Sequence, residues 1–230
     1  MSSSDKNPSR RHILTFNARA GRTRPKHTNA LEHLLPRFEL KWDGHSPIDP
    51  TAVFGRDAPL ILEIGSGNGE ACYSMAEADP DRDILAVEIY PQGIANLAVE
   101  ADERKLDNIR IYSEDAVPLM RQGLQKGSLA GIRVYFPDPW PKKRHHKRRI
   151  IQPWHIDTMC ELLEPGGTLH AATDWADYAH HMLEVLEAEP RLKNTSEGFS
   201  PRPDFRPITK FERRGIASGH EIFDVIFQRR

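Results

Sequence analysis

Residues 135–149 read Tyr-Phe-Pro-Asp-Pro-Trp-Pro-Lys-Lys-Arg-His-His-Lys-Arg-Arg. Asp138 lies between two prolines, as does Trp140, so a carboxylate acceptor and an aromatic plate are held on a stiff backbone. Residues 142–149 then place six Lys or Arg and two His side by side. An acceptor, a stacking surface and a cationic run in one loop suit a flat polar group on an anionic backbone, an RNA base. Each part also has a plainer reading: a turn at the Asp, packing at the Trp, a solvated surface at the charges. Their coincidence favours nucleic acid.

A second set of residues points to another reactant. Residues 62–70 read Leu-Glu-Ile-Gly-Ser-Gly-Asn-Gly-Glu, a glycine-rich turn between an apolar run and a helical pattern, the setting in which such a turn binds a nucleotide. Gly65 and Gly67 allow close backbone approach to a ligand. Glu88, nineteen residues beyond Gly69, ends the next apolar run, where a carboxylate can hold two ribose hydroxyls. Glu114 and Asp115 end the third, placed to accept from an adenine amino group; Asp115 is equally placed to cap the following helix. A dinucleotide would require glycine at position 70, whereas Glu70 and Glu63 would repel a pyrophosphate there. S-adenosylmethionine has no phosphate, and carboxylates attract its ammonium and sulfonium charges. It is the cofactor these residues suit, with Glu63 either facing it or bonding local amides.

Acids at successive strand ends require a parallel sheet to carry them. Strand patterns at 60–64, 83–89, 109–113, 131–136 and 168–173 alternate with helical ones at 68–78, 92–105, 116–122, 150–163 and 175–187, and Pro165-Gly166-Gly167 marks a turn. The alternation predicts an α/β fold with helices on both faces of a parallel sheet. Asp174 is placed to cap the helix at 175, and Thr28 a short helix near the N-terminus. Residues 206–213 and 221–229 are two strand-like runs, predicting an antiparallel hairpin at the end of the sheet. Lys210 and Glu212 would then share one face of a strand and Phe211 the other.

With 230 residues, 38% of them hydrophobic, the chain can bury one full core, expected at 28–230 behind a flexible basic arm at 1–27. Residues 1–26 and 142–149 carry +6 each in a chain of net charge -1, so the remainder carries -13 and an anionic partner is confined to one face. The sequence has no long apolar run and no apolar N-terminal segment; a cytoplasmic protein with no membrane partner is expected. Cys72 and Cys160 read as reduced, packed thiols. Neither they nor His145-His146 and His180-His181 have metal-binding spacing, and no metal is assigned.

Together these blocks resemble the bacterial tRNA (guanine-N7)-methyltransferase family, through Leu-Glu-Ile-Gly-Ser-Gly-Asn-Gly, Tyr-Phe-Pro-Asp-Pro-Trp-Pro-Lys-Lys-Arg-His, Ala-Thr-Asp-Trp at 172–175 and Thr-Lys-Phe-Glu-Arg-Arg-Gly at 209–215. The resemblance implies the Rossmann-like sheet of class I methyltransferases, mostly parallel with an antiparallel last strand, and formation of 7-methylguanosine in the variable loop of tRNA. It implies S-adenosylmethionine contacts at Glu63, Glu88, Asp115 and Asp138, with Asp138 also the active-site acid. Guanosine contacts are implied at Lys142, Asp174, Thr209, Lys210, Phe211 and Glu212, and RNA contacts at Arg144, His145, His146, Lys147, Arg148 and Arg149. Trp140 stacks on the base or packs in the core. A methyltransferase for another acceptor would leave the basic run unexplained, and an RNA-binding protein without catalysis would have no use for Glu63, Glu88 and Asp115.

Overall fold

A computed structural model describes residues 13–16 and 24–230. The expected basic arm at 1–27 falls largely outside the described residues. Helices α1 (Pro25–His33), α2 (Leu35–Phe38) and α3 (Pro50–Phe54) lead into β1 (Leu60–Ile64), α4 (Glu70–Ala78), β2 (Asp83–Val87), α5 (Pro91–Glu103) and β3 (Ile109–Tyr112). Next come α6 (Ala116–Pro118), continued by a wider π turn over Leu119–Gly123, then β4 (Leu129–Tyr135), a 3-10 helix over Lys143–Arg148, α7 (Pro153–Leu162) and β5 (Leu163–Thr173). The chain closes with α8 (Ala176–Glu187), β6 (Leu192–Asn194), α9 (Lys210–Ala217) and β7 (Phe223–Arg229). Pro25, Pro50, Pro91 and Pro153 each open a helix, where a fixed φ helps and no N–H is missed.

Among the described residues seven strands form one sheet, ordered β3-β2-β1-β4-β5-β7-β6. β1 to β5 run parallel, and β7 is antiparallel to both β5 and β6. Alternation along the strands sorts the core into two layers. Ile61, Ile84, Ala86, Ile109 and Ile111 pack with α4 and α5 on one face; Leu60, Leu62, Leu85, Val87 and Ile132 pack with α7 and α8 on the other. The expected class, a mostly parallel sheet with antiparallel C-terminal strands and helices on both faces, is the one observed.

Several local expectations are corrected. Residues 210–217 form a helix, not a strand, so the strand on the far side of β7 from β5 is the short β6. Thr209 caps that helix by accepting from Glu212 N at 3.2 Å, which outweighs the period-two apolar pattern across 206–213. Thr28 lies inside α1, whose first residue is Pro25, and caps nothing. Asp174 does not cap α8: Thr173 Oγ1 accepts from Trp175 N instead, at 3.2 Å, and Asp174 pairs with His220. Strand β5 begins at Leu163 and runs through the expected turn at 165–167.

Helix α5 packs against the glycine loop, most closely at Gly93. A Cβ on Gly93 would lie 2.1 Å from the carbonyl oxygen of Gly67, a backbone atom that cannot move alone. Gly93→Ala is expected to lower stability by about 1–3 kcal/mol in urea denaturation and to displace the glycine loop.

Candidate active site

The strand order reverses between β1 and β4, and clefts form at the carboxyl ends of strands at such a point. Two cavities of about 220 and 300 Å³ open there, sharing Gly65, Gly67 and Phe136 as a partition. The first is walled by Ile64, Val87, Ile89, Val134 and Ile150 and carries Glu88, Glu114, Asp115 and Asp138. Thr15 and Phe16 close its rim. The second is lined by Glu63, Ser66, Asn68, Glu70, Tyr135, Thr209, Lys210, Phe211 and Arg214.

The acids are held by different means. Glu88 accepts from three backbone amides, Gly67 N at 2.6 Å, Ile89 N at 2.7 Å and Tyr90 N at 2.8 Å, so it ties the glycine loop to the end of β2. Burial still raises its pKa against those three bonds. Glu63 is 2% exposed, stands in register with Arg133 on β4, and its Oε2 has no partner. Burial pushes its carboxyl up to about 7, against the pull of Arg133. An unpartnered buried acid oxygen in a cavity lining marks a place for a donor or cation. Asp115 serves as a cap, accepting from Val117 N at 2.9 Å, and also lines the first cavity.

Asp138 sits on a bridge of disfavoured backbone. Phe136 and Trp140 have φ of 50° and 47°, unusual for bulky side chains and costing about 1–3 kcal/mol each. Phe136 N donates to Ala172 O at 2.7 Å, fixing one end. Arg149 fixes the middle: its Nε donates to Pro139 O at 2.9 Å, its Nη2 bonds Asp177, and its guanidinium lies 4.6 Å from the Tyr178 ring centre. Arg149 is 1% exposed, so it is a brace and not a side chain offered to RNA. Trp140 packs: Arg148 covers its face at 3.8 Å, His145 meets its edge, and its Nε1 donates to Thr15 O at 3.1 Å. Arg148 also donates to Leu14 O and Phe16 O, both at 2.9 Å. Of the basic run, Lys142, Lys143, Arg144 and Lys147 are exposed, and His145 and His146 are half-buried.

Among the acceptor residues expected from sequence, Thr209, Lys210 and Phe211 line the second cavity, whereas Lys142, Asp174 and Glu212 line neither. Lys142 opens the exposed 3-10 helix. Asp174 bonds His220 Nδ1 at 3.0 Å, beside Gly215 of α9. Glu212 is buried, with both oxygens bonded to Arg206. Glu70, which argued against a dinucleotide, has a further role: it accepts from Lys210 N and from Arg213 Nη2, latching α4 to α9. The sequence reading missed Phe136, Arg206 and Arg214. Neither Arg206 nor Phe136 carried a signal: Arg206 is one of several charged residues in 202–214, and the φ of Phe136 follows from tertiary contacts.

Both cysteines are free and buried. Among the described residues, no cluster of three His, Cys, Asp or Glu could hold a metal ion, and no helix is long and apolar enough to cross a membrane.

Residues 57–225 match a family described as putative methyltransferase. The tRNA (guanine-N(7)-)-methyltransferases of Ralstonia pickettii, Bordetella pertussis and Nitrosospira multiformis are 50%, 48% and 46% identical to this chain, each covering 96% of it and 86%, 87% and 96% of the relative. Among solved structures, the 16S rRNA methyltransferase KamB superposes with a TM-score of 0.60 at 16% identity, covering 80% of this chain and 95% of that one. TrmN from Thermus thermophilus gives 0.55 at 16% identity, covering 76% and 45%. At such identities the likeness is one of fold.

Glu63 also makes stability depend on pH. Folded, it keeps its proton up to about pH 7; unfolded, it loses it near 4.5, so the native state binds more protons in between. Stability therefore falls as pH rises through that window and levels off above it. Glu63→Gln removes the fall, changing the wild-type to variant difference by on the order of 3 kcal/mol between pH 5 and 8. Urea denaturation at each pH reads it, and parallel curves would show that the carboxyl titrates normally.

Proposed function

The chain belongs to the tRNA (guanine-N7)-methyltransferase family, and from that premise we propose that it transfers a methyl group from S-adenosylmethionine to N7 of a guanosine in the variable loop of tRNA. The observation that carries this reading is the pair of cavities meeting at Gly65, Gly67 and Phe136, one acid-lined and one walled by α9. The first suits an adenosyl group. Its aliphatic walls can sandwich a purine, Glu88 stands where ribose hydroxyls would lie, and Glu114 with Asp115 can accept from an adenine amine. The bare backbone of Gly65 and Gly67 admits the chain beyond the ribose, and the orphaned Oε2 of Glu63 offers a partner for an ammonium. When bound, this cofactor supplies an electrophilic methyl group on a sulfonium.

Guanine N7 carries a lone pair and no proton, so attack in line needs no general base. The task left to the protein is orientation and charge. Asp138, on its braced loop, places a carboxylate beside the path along which positive charge passes to the base, and stabilises it there. Phe211, 57% exposed, takes the stacking role first considered for Trp140. Guanine N1–H and its exocyclic amine call for an acid acceptor, and of the two acids among the implied guanosine contacts Glu212 is already saturated by Arg206. Asp174, held beside α9, is left for that role. Lys142, Arg144 and Lys147, with Lys143, present an exposed cationic ridge to the phosphates. The work takes place in the cytoplasm, where tRNA is found.

Unmodified tRNA incubated with methyl-labelled cofactor should gain 7-methylguanosine in the variable loop, located by chemical cleavage; label elsewhere, or none, would refute the assignment. Asp138→Ala is expected to lower turnover by at least about 100-fold while tRNA affinity changes little. Equal loss of both would make Asp138 structural. Reversing charge at Lys142, Lys143, Arg144 and Lys147 should flatten the log–log salt dependence of tRNA binding by roughly 0.7 to 0.9 per lost phosphate contact; an unaltered slope would remove this ridge from the interface.

A further inference from the structure

Arg206 is 1% exposed and lines neither cavity, yet it is a full positive charge in the protein interior. Its guanidinium makes four hydrogen bonds to two buried carboxylates. Nε and Nη2 donate to the two oxygens of Asp224 at 2.8 Å each, and Nη1 and Nη2 donate to those of Glu212 at 2.7 and 2.9 Å. Asp224, on β7, also bonds His170 Nε2 at 2.7 Å, and His170 Nδ1 meets the Tyr135 hydroxyl at 2.9 Å. The links run without a gap from α9, the wall of the second cavity, through β7 and β5 to Tyr135 in its floor.

We propose that Arg206 is a positioning residue, clamping Glu212 to Asp224 and so fixing the α9 wall against Tyr135 and Phe136, and that Glu212 is its anchor and not a ligand of the base. The inference rests on reading the second cavity as the acceptor pocket. Thr209-Lys210-Phe211-Glu212 has the spacing of a capping box, in which the Glu side chain ordinarily folds back to the cap N–H. Here both oxygens of that carboxylate are given to Arg206 instead. The outer attachment of α9, Glu70 with Arg213, has side chains 27% and 57% exposed and is weakened by solvent and salt. Only the inner attachment is dry. Phe211 meets Phe136 edge-on at 5.3 Å, so a rocking of α9 would open the partition between the cavities. The clamp needs a planar fork able to bond two carboxylates at once, which a lysine ammonium does not provide.

The test uses Glu212→Gln, Arg206→Lys and the double variant in the full chain. Hydrogen exchange without ligand should quicken by about tenfold or more over residues 209–217 in each, with β1 and β4 unaffected. In tRNA methylation, kcat should fall roughly 10- to 100-fold while KM for tRNA and cofactor affinity hold within about threefold. The double variant should lie within about threefold of the poorer single, since both break one link. Unchanged exchange over 209–217 would overturn the clamp whatever the reaction proves to be. Multiplicative losses, with Glu212→Gln alone altering the preference for guanosine over inosine at the target, would overturn it by making Glu212 a base ligand. Should Arg206→Lys fail to fold, Glu212→Gln decides by the same readouts. A wild-type chain inactive on tRNA would defeat the proposed function, while the exchange result would still judge the clamp.

Discussion

The site depends on keeping residues 136–140 in a conformation that two of their side chains disfavour. Those two bulky residues at positive φ bracket Asp138. The compensation comes from elsewhere: a ladder bond from Phe136 to Ala172, the Arg149 bond to Pro139, the Arg149 pairing with Asp177 on α8. Proline at 137, 139 and 141 reduces what the unfolded chain loses on adopting this shape. The carboxylate is thus aimed by three elements beyond its own strand, and its direction is inherited from the sheet.

Two acids beside the glycine turn, Glu88 in the first cavity and Glu63 in the second, fall under a second constraint, set by dielectric. Burial opposes the charge of both, raising the pKa of Glu88 and pushing that of Glu63 up to about 7. A site of this kind gains from a cation and would lose from a phosphate. The same field disfavours a phosphate at a glycine-rich turn that otherwise has the outline of a dinucleotide site. Glu70, which spoils the phosphate site, is spent on holding α9.

Much of this was legible in the sequence, because the parallel sheet announces itself by alternation and the glycine turn by its place between strand and helix. Glu88, Asp115, Gly65, Gly67 and Asp138 fall into one cavity, since residues at carboxyl ends of neighbouring parallel strands must converge. What could not be read were side-chain directions set by tertiary partners. A basic octet reads as uniform, yet its first residues are solvated and its last is buried beneath a proline carbonyl. The 206–213 segment alternates like a strand, and the capping pattern Thr209 to Glu212 within it carried the better signal. Phe136 gains its meaning from Ala172 and Phe211, 36 and 75 residues away, and Arg206 from Glu212 and Asp224, 6 and 18 residues away on a helix and a strand that only the fold brings together.

The chain divides its cations by chemistry. Arg149 and Arg206, the two largest fully buried side chains, each bond more than one acceptor, and Arg148 joins two carbonyls while covering an indole. A delocalised planar fork tolerates desolvation when several acceptors face it at once. Lysines 142, 143 and 147 stay in water, where a hydrated point charge on a flexible stem follows phosphates without fixed geometry. The interior arginines therefore set shape, and the lysine-rich exterior sets attraction. Because the two jobs fall on different residues of one short run, this loop can stay rigid on the side facing the first cavity and compliant on the side facing solvent.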